Sequence, residues 1–574
     1  MKKLIFASCI LFLASCQKNY ESVPLGSQAT INDVFNTQDS AGTAALSFLS
    51  TCYIQSLTND HNRVSSDYLD AASDDAMSSS NTVSAVQEIA QGQYSAASPN
   101  ADDDWSHNYT AIRDCNIFID NIYRVPMNVQ LPNGRLAIGA YRSEARFLRA
   151  WLYFELVKRY GGVPLLGDSV FTITDNVLVP RNSFADCITY IVSECTDIQD
   201  SLRTASQVDG SSYGHITQGG AMALKAQVLL FAASPLYNGG NIAPNNPLTG
   251  YPNYDITRWQ LAAQAAQAVM NLGVYQLMPS FEQVFTTQAS PVGSNTEAIC
   301  WYQVGANTSV EVNNAPVGYA AQGSVGRTSP TQNLVDAYPM NNGLAITDPT
   351  SGFNPADPYD NRDPRLSATV FCNGALWLNR AVQTYDGGVD RPGGIVQQTK
   401  TGYYMRKFMG PFESASPPNY SATIHDFIYY RYAEILLDWA EATNEYSGPS
   451  AAIYGVLEQI RSRAGISSGT NGLYGLPAGM DQADMRTAIQ NERRLELAFE
   501  EHRYWDIRRW KIAAQVYNTA PLQGIDIVQS GFSPATYNKV NVLTTSFKDP
   551  QMYFYPIPYS EVVKNPQMQQ NPSW

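Results

Sequence analysis

Residues 491–510 read NERRLELAFEEHRYWDIRRW, and this pattern predicts a helix. Leu495, Ala498 and Phe499 fall on one face of such a helix and form an apolar stripe. Opposite charges recur three positions apart around the stripe, a spacing that allows ion pairs along a helix. The predicted pairs are Arg493–Glu496, Glu500–Arg503, Arg503–Asp506 and Asp506–Arg509. We interpret this segment as a structural, ion-paired helix and give its carboxylates no catalytic role.

The same run closely resembles the C-terminal signature of the SusD/RagB lipoproteins, E-R-R-x-E-L-x-F-E-x-x-R-x-x-D-x-x-R-W. The matching residues are Glu492, Arg493, Arg494, Glu496, Leu497, Phe499, Glu500, Arg503, Asp506, Arg509 and Trp510. Further similar blocks are EARFLRAW at 144–151, RYAEILLDWAEA at 431–442 and YPIPYSEVVKNPQMQQNP at 555–572. The resemblance implies a helical outer-surface lipoprotein of Bacteroidetes. Such a protein captures glycans, or sometimes peptides, and delivers them to a TonB-dependent SusC-type channel.

The N-terminus has the pattern of a bacterial lipoprotein signal. Lys2 and Lys3 precede an apolar run from Leu4 to Leu13, which is too short to span a bilayer. The run ends in Leu-Ala-Ser-Cys at Cys16, the form of a lipobox. We predict a signal peptide over residues 1–15, lipidation of Cys16, and a tether over 16–40 that holds the protein to the outside of the outer membrane. An ordinary signal peptide with a chance cysteine is the alternative.

Composition argues against a nucleic-acid partner. The chain of 574 residues has a formal charge of −14 and a pI of about 4.9, whereas a phosphate-binding face needs an excess of Lys and Arg. Six cysteines remain after Cys9 and Cys16 are set aside, and they are spread widely along the chain. We interpret them as buried free thiols rather than as a disulfide framework.

Helical patterns occur in two blocks that flank an irregular region. They predict a mainly α fold: a tetratricopeptide-like helical-repeat scaffold with a large loop-rich region and a few short strands. Glycine, proline, asparagine and tyrosine are abundant in the region between the blocks, and long irregular regions in globular chains often carry function. The predicted parts, packed as one globular unit, are an N-terminal helical part at 41–285 and a C-terminal part at 286–574, loop-rich over 286–426 and helical over 427–515.

Candidate ligand residues follow from the chemistry of sugars, which present an apolar face and many hydroxyls to aromatic rings and polar side chains. The segment DDDWSHN at 102–108 carries Trp105 and Asn108. Starch-binding members of the family resemble it, and the resemblance implies stacking by Trp105 and hydrogen bonding by Asn108. The alternative is that Trp105 anchors the helix that follows. Further candidates are Asp74 and Asp75 as hydroxyl acceptors, and Tyr302, Tyr319 and Trp377 as stacking platforms.

Motifs for catalysis and metal binding are weak. Gly465–Gly469 matches G-x-S-x-G, but a helix precedes it where a nucleophile elbow needs a strand. The five histidines are widely separated, and we expect neither a cofactor nor a metal. Asp357, Asp360 and Asp363 are weak candidates for a structural calcium site, with turn formation as the alternative. Three functional alternatives remain open: peptide capture, a surface-anchored glycoside hydrolase, and a helical scaffold without a small ligand.

Overall fold

The structure is a computed structural model that describes residues 30–172, 174–210, 212–289, 294–319, 322–393, 398–529 and 534–574. Helices dominate it. They are α1 (Ile31–Val34), α2 (Thr43–Ser56), α3 (Ala85–Ala90), α4 (Trp105–Asn121), α5 (Ile138–Tyr160), α6 (Phe184–Ile198), α7 (Gln218–Ala233), α8 (Thr257–Met270), α9 (Gln283–Thr286), α10 (Ser309–Asn314), α11 (Gln332–Ala337), α12 (Pro364–Thr369), α13 (Tyr432–Ser447), α14 (Ala451–Ala464), α15 (Gln482–Glu496), α16 (His502–Arg509), α17 (Ala513–Asn518) and α18 (Tyr559–Lys564).

The strands are short and pair two by two. They are β1 (Ala76–Ser78), β2 (Ala298–Tyr302), β3 (Thr328–Pro330), β4 (Val370–Phe371), β5 (Leu376–Trp377), β6 (Arg380–Ala381), β7 (Tyr404–Met405), β8 (Phe427–Arg431), β9 (Leu522–Val528) and β10 (Thr536–Leu543). The antiparallel pairs are β1 with β3, β2 with β8, β4 with β7, β5 with β6, and β9 with β10. This content confirms the predicted mainly α fold with a few short strands.

Consecutive long helices lie side by side, as in a helical repeat. α4 packs on α5, α5 on α6, α6 on α7, and α7 on α8. α8 then packs on α13, which joins the two helical blocks across the irregular region. The helix ends follow local chemistry: the Thr217 side chain caps α7, and α14 ends at Gly465 in the left-handed conformation.

One hydrophobic core runs through the molecule. It includes residues from Phe35 near the start of the described chain to Met568 near its end. The six cysteines of the folded body are free and buried, as the sequence predicts. Among the described helices, none has the length and hydrophobicity needed to cross a bilayer.

The segment 491–510 is interrupted, contrary to the prediction of one helix. α15 ends at Glu496 and α16 begins at His502. Phe499 and Glu501 lie in this break and have positive φ angles of 63° and 61°, a left-handed conformation that is uncommon for residues other than glycine. The break removes the helical spacing of the predicted Glu500–Arg503 pair, whereas the other three predicted pairs lie within α15 or α16.

Only one of the four predicted pairs in this segment forms: Asp506 with Arg509, at 2.7 Å. The other three predictions are wrong because the charged groups find partners on distant parts of the chain. These partners are Asp438 and Asp506 for Arg493, Arg365, Arg431 and Arg463 for Glu496, Lys407 and Arg431 for Glu500, and Asp74 for Arg503. The segment therefore connects Asp74, the irregular region, α13 and α14 through buried charges rather than stabilising a single helix.

The remaining residues of the signature are also buried. Glu492 pairs with Arg365 and Arg461, each at 2.7 Å. The Phe499 side chain is fully buried, and the Trp510 indole N–H donates to Glu441 at 2.8 Å. These contacts agree with a structural role for the signature.

Candidate functional site

Two clefts of different chemistry share the C-terminal end of α2. The first, which we call the uncharged cleft because no Asp, Glu, Lys or Arg is among its lining residues, has a volume of about 450 Å³ and is lined by aromatic, aliphatic and polar side chains. They are Leu46, Leu49, Ser50, Tyr53, Ile54, Leu57, Tyr141, Tyr213, Gly214, His215, Trp301, Tyr302 and Gln303. The second, the charged cleft, has a volume of about 330 Å³ and is lined by nine charged side chains among others. They are Asp60, Arg63, Asp104, Glu155, Lys158, Arg159, Glu500, Glu501 and Asp506.

Aromatic rings form the walls of the uncharged cleft. Trp301 and Tyr141 are 3% and 8% exposed, and Tyr53, Tyr213 and Tyr302 are half-buried. The ring centroids of Tyr213 and Trp301 lie 5.6 Å apart. Such rings offer flat faces to an apolar surface of a ligand.

A buried carboxylate fixes one wall of this cleft. Glu144 on α5 is fully buried; its Oε2 accepts a hydrogen bond from the Tyr53 hydroxyl at 2.9 Å and lies 2.7 Å from His215 Nδ1. Its Oε1 pairs with Arg203, whose guanidinium lies 4.8 Å from the centroid of the Tyr141 ring. Burial raises the pKa of Glu144, but His215 and Arg203 outweigh burial, so this pKa lies below its usual value.

A second buried carboxylate fixes the opposite wall. Asp426 is 6% exposed and accepts hydrogen bonds from the Tyr213 hydroxyl at 3.0 Å and from the backbone N–H of Ala289 and Val304 at 3.1 and 2.9 Å. Burial raises the pKa of Asp426. Because Glu144 and Asp426 hold the rings through their polar atoms, the cleft is organised before a ligand arrives.

The charges of the second cleft are satisfied mostly by one another. Arg63 binds both oxygens of Glu501 at 2.7 and 2.9 Å. Glu155 pairs with Lys158 and Arg159, each at 2.6 Å. These are the contacts of a structural ion-pair network, which leaves few charged groups free to meet a ligand.

The predicted residue Asn108 lies in the charged cleft. Its side chain is 4% exposed, and its Nδ2 has no hydrogen-bond partner among the described residues. Trp105, three residues earlier, is 4% exposed and lies in the core against Tyr109 and Tyr160, with ring centroids 5.0 and 5.1 Å away. The prediction of a stacking platform at Trp105 is therefore wrong, and the alternative of a helix anchor holds, because Trp105 is the first residue of α4.

The predicted acceptors Asp74 and Asp75 are occupied by arginines. Asp74 binds Arg503 at 2.8 and 2.9 Å and Arg494 at 2.9 Å, while Asp75 binds Arg494 at 2.6 Å. Burial raises the pKa of Asp74, but Arg494 and Arg503 outweigh it, so this pKa lies below its usual value. The prediction of free hydroxyl acceptors is wrong here because both carboxylates belong to the buried charge network.

The three predicted platforms of the irregular region fall in two places. Tyr302 lines the uncharged cleft. Trp377 is fully buried, and its indole N–H donates to the Tyr420 hydroxyl at 3.1 Å. Tyr319 is 9% exposed, donates to the carbonyl of Trp377 at 2.7 Å, and has the Arg380 guanidinium 4.0 Å from its ring centroid. The prediction of open platforms at Trp377 and Tyr319 is wrong because both rings pack in the hydrophobic core.

The aspartates considered for calcium do not converge on a site. Asp363 is 1% exposed and caps α12 while it binds Arg365 at 2.8 Å. Asp357 and Asp360 are exposed, and Asp360 accepts from the Asn361 side chain. Within the described residues no group of His, Cys, Asp and Glu is arranged to hold a metal ion. The turn alternative therefore accounts for these residues.

Several residues of the uncharged cleft escape sequence reasoning. Tyr53, Tyr141, Tyr213 and His215 come from two helices and a loop that are far apart in the chain, and no motif connects them. One sequence signal for this site is Glu144 in the block EARFLRAW. An acidic residue on the face of a helix that packs in the core needs polar partners, and Tyr53 and His215 are such partners. Cys16 lies outside the described residues.

Known proteins resemble the chain over nearly all of its length. The sequence model described as the SusD family matches residues 282–574, about half of the chain. The chain belongs to the SusD family. A second model, described as starch-binding associating with outer membrane, matches residues 37–230.

Relatives of this SusD-family chain include SusD-like protein P38 of Formosa agariphila, which is 25% identical over 427 residues, or 73% of this chain and 74% of P38. A SusD-like protein from Bacteroides fragilis superposes with a TM-score of 0.74 at 26% identity, covering 93% of this chain and 98% of the other. A SusD-like carbohydrate-binding protein from the same species gives a TM-score of 0.73 at 23% identity, covering 92% and 99%. These likenesses confirm the SusD-like fold.

Proposed function

We propose that this protein is a cell-surface, glycan-binding lipoprotein that captures oligosaccharide in the uncharged cleft and passes it to a TonB-dependent, SusC-type channel. Family membership and the carbohydrate-binding description of a structural relative support this proposal. The observation that carries it is the uncharged cleft itself, in which half-buried rings stand beside neutral hydrogen-bonding groups.

The chemistry of the uncharged cleft suits a sugar. A pyranose ring has C–H faces that pack on aromatic rings, and equatorial hydroxyls that both donate and accept hydrogen bonds. Tyr302 and Tyr213 supply partly exposed rings, while His215, Gln303 and Ser50 supply polar atoms. Because Glu144 and Asp426 already order the walls, binding loses little conformational entropy there.

The pairing of carboxylates in the charged cleft supports binding without turnover. A glycoside hydrolase needs two carboxyl groups that are free to act as acid and as base or nucleophile. Glu155 and Glu501 are held by Lys158, Arg159 and Arg63 at 2.6–2.9 Å, and ion-paired carboxylates are poor candidates for those roles. Capture therefore accounts for the geometry better than hydrolysis does.

The proposal includes the cellular location of the protein, the outer membrane, and its partner, the SusC-type channel. The description of the model that matches residues 37–230 supports association with the outer membrane. Lipidation of Cys16 would supply the attachment, with the folded body outside the cell and next to its channel. Replacing Cys16 with Ala should release the protein from washed membranes and leave its melting temperature unchanged. Retention of the Cys16→Ala protein on the membrane would refute the lipid anchor.

The test of capture is a glycan array followed by calorimetric titration of the best-bound oligosaccharide. We expect binding without release of reducing ends, and we expect Tyr302→Ala to weaken it by about tenfold or more, a hot-spot magnitude. The matched control is Tyr559→Ala, which removes an exposed tyrosine on α18 outside both clefts. Glycan turnover would identify a hydrolase, and peptide binding without any glycan binding would favour the peptide-capturing alternative.

A further inference from the structure

The uncharged cleft carries information about which glycans fit it, because its lining has an unusual composition for this protein. The described residues that line it include no Asp, Glu, Lys or Arg, whereas the charged cleft beside it has nine. The internal residues between the described ranges, namely 173, 211, 290–293, 320–321, 394–397 and 530–533, are also uncharged.

We propose that the ligand of the uncharged cleft is an uncharged oligosaccharide, and that sugars with carboxylate or sulfate groups are excluded. This inference rests on the proposed function. Proteins recognise carboxylates and sulfates with Arg or Lys, often through paired hydrogen bonds. An anion that enters a cleft without such a partner loses its hydration and gains little in return.

The arginine adjacent to the cleft is not available as such a partner. Arg203 pairs with the buried carboxylate of Glu144 and lies against the Tyr141 ring. Moving its guanidinium to an anionic sugar would leave Glu144 buried without its cation, and breaking a buried pair in this way is costly. The net charge of the chain also disfavours anionic sugars, because a protein with a formal charge of −14 repels anions.

His215 is engaged by the same buried carboxylate. Its Nδ1 lies 2.7 Å from Glu144 Oε2, so a proton on this nitrogen is already matched by Glu144, as the guanidinium of Arg203 is. A sugar hydroxyl can either donate a hydrogen bond to the other ring nitrogen or accept one from it.

The experiment compares matched ligands on the purified full-length protein. An array would hold gluco-, manno-, galacto- and xylo-oligosaccharides together with C6-carboxylated and sulfated forms of the hexose series. We expect binding to at least one neutral series and at least about tenfold weaker binding to its charged forms. We also expect the affinity for the neutral ligand to change less than about twofold between about 0.02 and 0.5 M salt, because screening acts on charges.

A charge-gain variant makes the test sharper. Gln303→Arg places a guanidinium at the exposed rim of the cleft and should increase affinity for the carboxylated ligand by about tenfold, while Gln515→Arg, the same change on the exposed face of α17, should not. Equal or tighter binding of charged glycans by the unaltered protein would overturn this inference and leave glycan capture intact. Binding to no glycan at all would overturn both proposals.

Discussion

The interior around residues 491–510 and the uncharged cleft are built in opposite ways. In the interior, arginines and carboxylates such as Arg493, Asp506 and Glu496 are nearly or fully buried and contact one another at 2.5–2.9 Å. In the cleft, rings and neutral groups form the surface, and the carboxylates of Glu144 and Asp426 stand behind them. Buried carboxylates thus connect distant elements of the chain in the interior, and they orient the rings of a binding surface in the cleft.

This difference between the interior and the cleft predicts where substitutions should affect folding and where they should affect binding. A buried charge that loses its partner keeps its desolvation cost, so the interior should respond to mutation through stability. The half-buried rings of the cleft contribute less to the core, so their removal should act mainly on the ligand. Each prediction below tests one side of this division.

The largest expected effect is that of Glu496→Ala. Glu496 is fully buried and contacts Arg365 and Arg431 at 2.9 and 2.7 Å, as well as Arg463. Removing it takes one carboxylate from three buried guanidinium groups, each of which keeps another acidic partner, and we expect the free energy of unfolding to fall by about 3–5 kcal/mol. Chemical denaturation monitored by circular dichroism measures this change.

The control for Glu496→Ala is Lys564→Ala, which breaks an exposed pair with Glu561 on α18. We expect a loss below about 0.5 kcal/mol there. Equal stability losses in the two variants would mean that the interior charges do not act as a buried network.

The second prediction concerns Trp105→Ala, for which sequence reasoning expects lost binding and unchanged stability. Because the ring is 4% exposed and packs against Tyr109 and Tyr160, the substitution leaves a cavity. We expect a stability loss of about 3 kcal/mol and, at a temperature where the variant is folded, nearly unchanged glycan affinity. A stable variant that no longer binds glycan would restore Trp105 as a ligand residue.

The third prediction concerns a pH dependence that originates at Asp70 and is small for each single pH unit. This carboxyl is fully buried, accepts from the Phe499 N–H at 3.1 Å, and lies near Asp75; burial, reinforced by that neighbour, raises its pKa to about 7. Between pH values of about 4 and 7 the folded chain holds a proton that the unfolded chain has released. The folded state then binds more protons, so the free energy of unfolding falls as pH rises, by up to about 1.4 kcal/mol per pH unit.

Asp70→Asn tests this pH dependence. The amide cannot titrate, so the variant should lose that part of the slope and become less sensitive to pH over the same window. Urea denaturation of both proteins at a series of pH values measures the difference in slope. Identical slopes would show that Asp70 does not carry a raised pKa in the folded state.

The sequence predicts the fold well because helix patterns are local. Gly465 directly follows α14, and Gly161 and Gly162 directly follow α5, positions at which glycine commonly ends a helix. The break between α15 and α16 could not be predicted, because Phe499 and Glu501 adopt left-handed angles only with tertiary contacts such as Arg63 on Glu501 and Lys407 on Glu500. Local periodicity carries no signal for such contacts.

The candidate site is less accessible from sequence because exposure is decided by packing. Trp105, Trp377 and Tyr302 all occur in polar, turn-rich surroundings, yet only Tyr302 lines the uncharged cleft. Asp74 and Asp75 face arginines that lie more than four hundred residues later. The sequence around an aromatic ring or a carboxylate in a loop looks the same whether the side chain is exposed to a ligand or buried in the core.

The most direct test of this division is one set of calorimetric titrations with the best-bound neutral oligosaccharide. Tyr302→Ala and Asn108→Ala probe the uncharged and the charged cleft, and the unaltered protein is the reference. We predict that Tyr302→Ala weakens binding by about tenfold or more and that Asn108→Ala changes it by less than about threefold. Strong loss in Asn108→Ala with intact binding in Tyr302→Ala would move the glycan to the charged cleft and contradict the account.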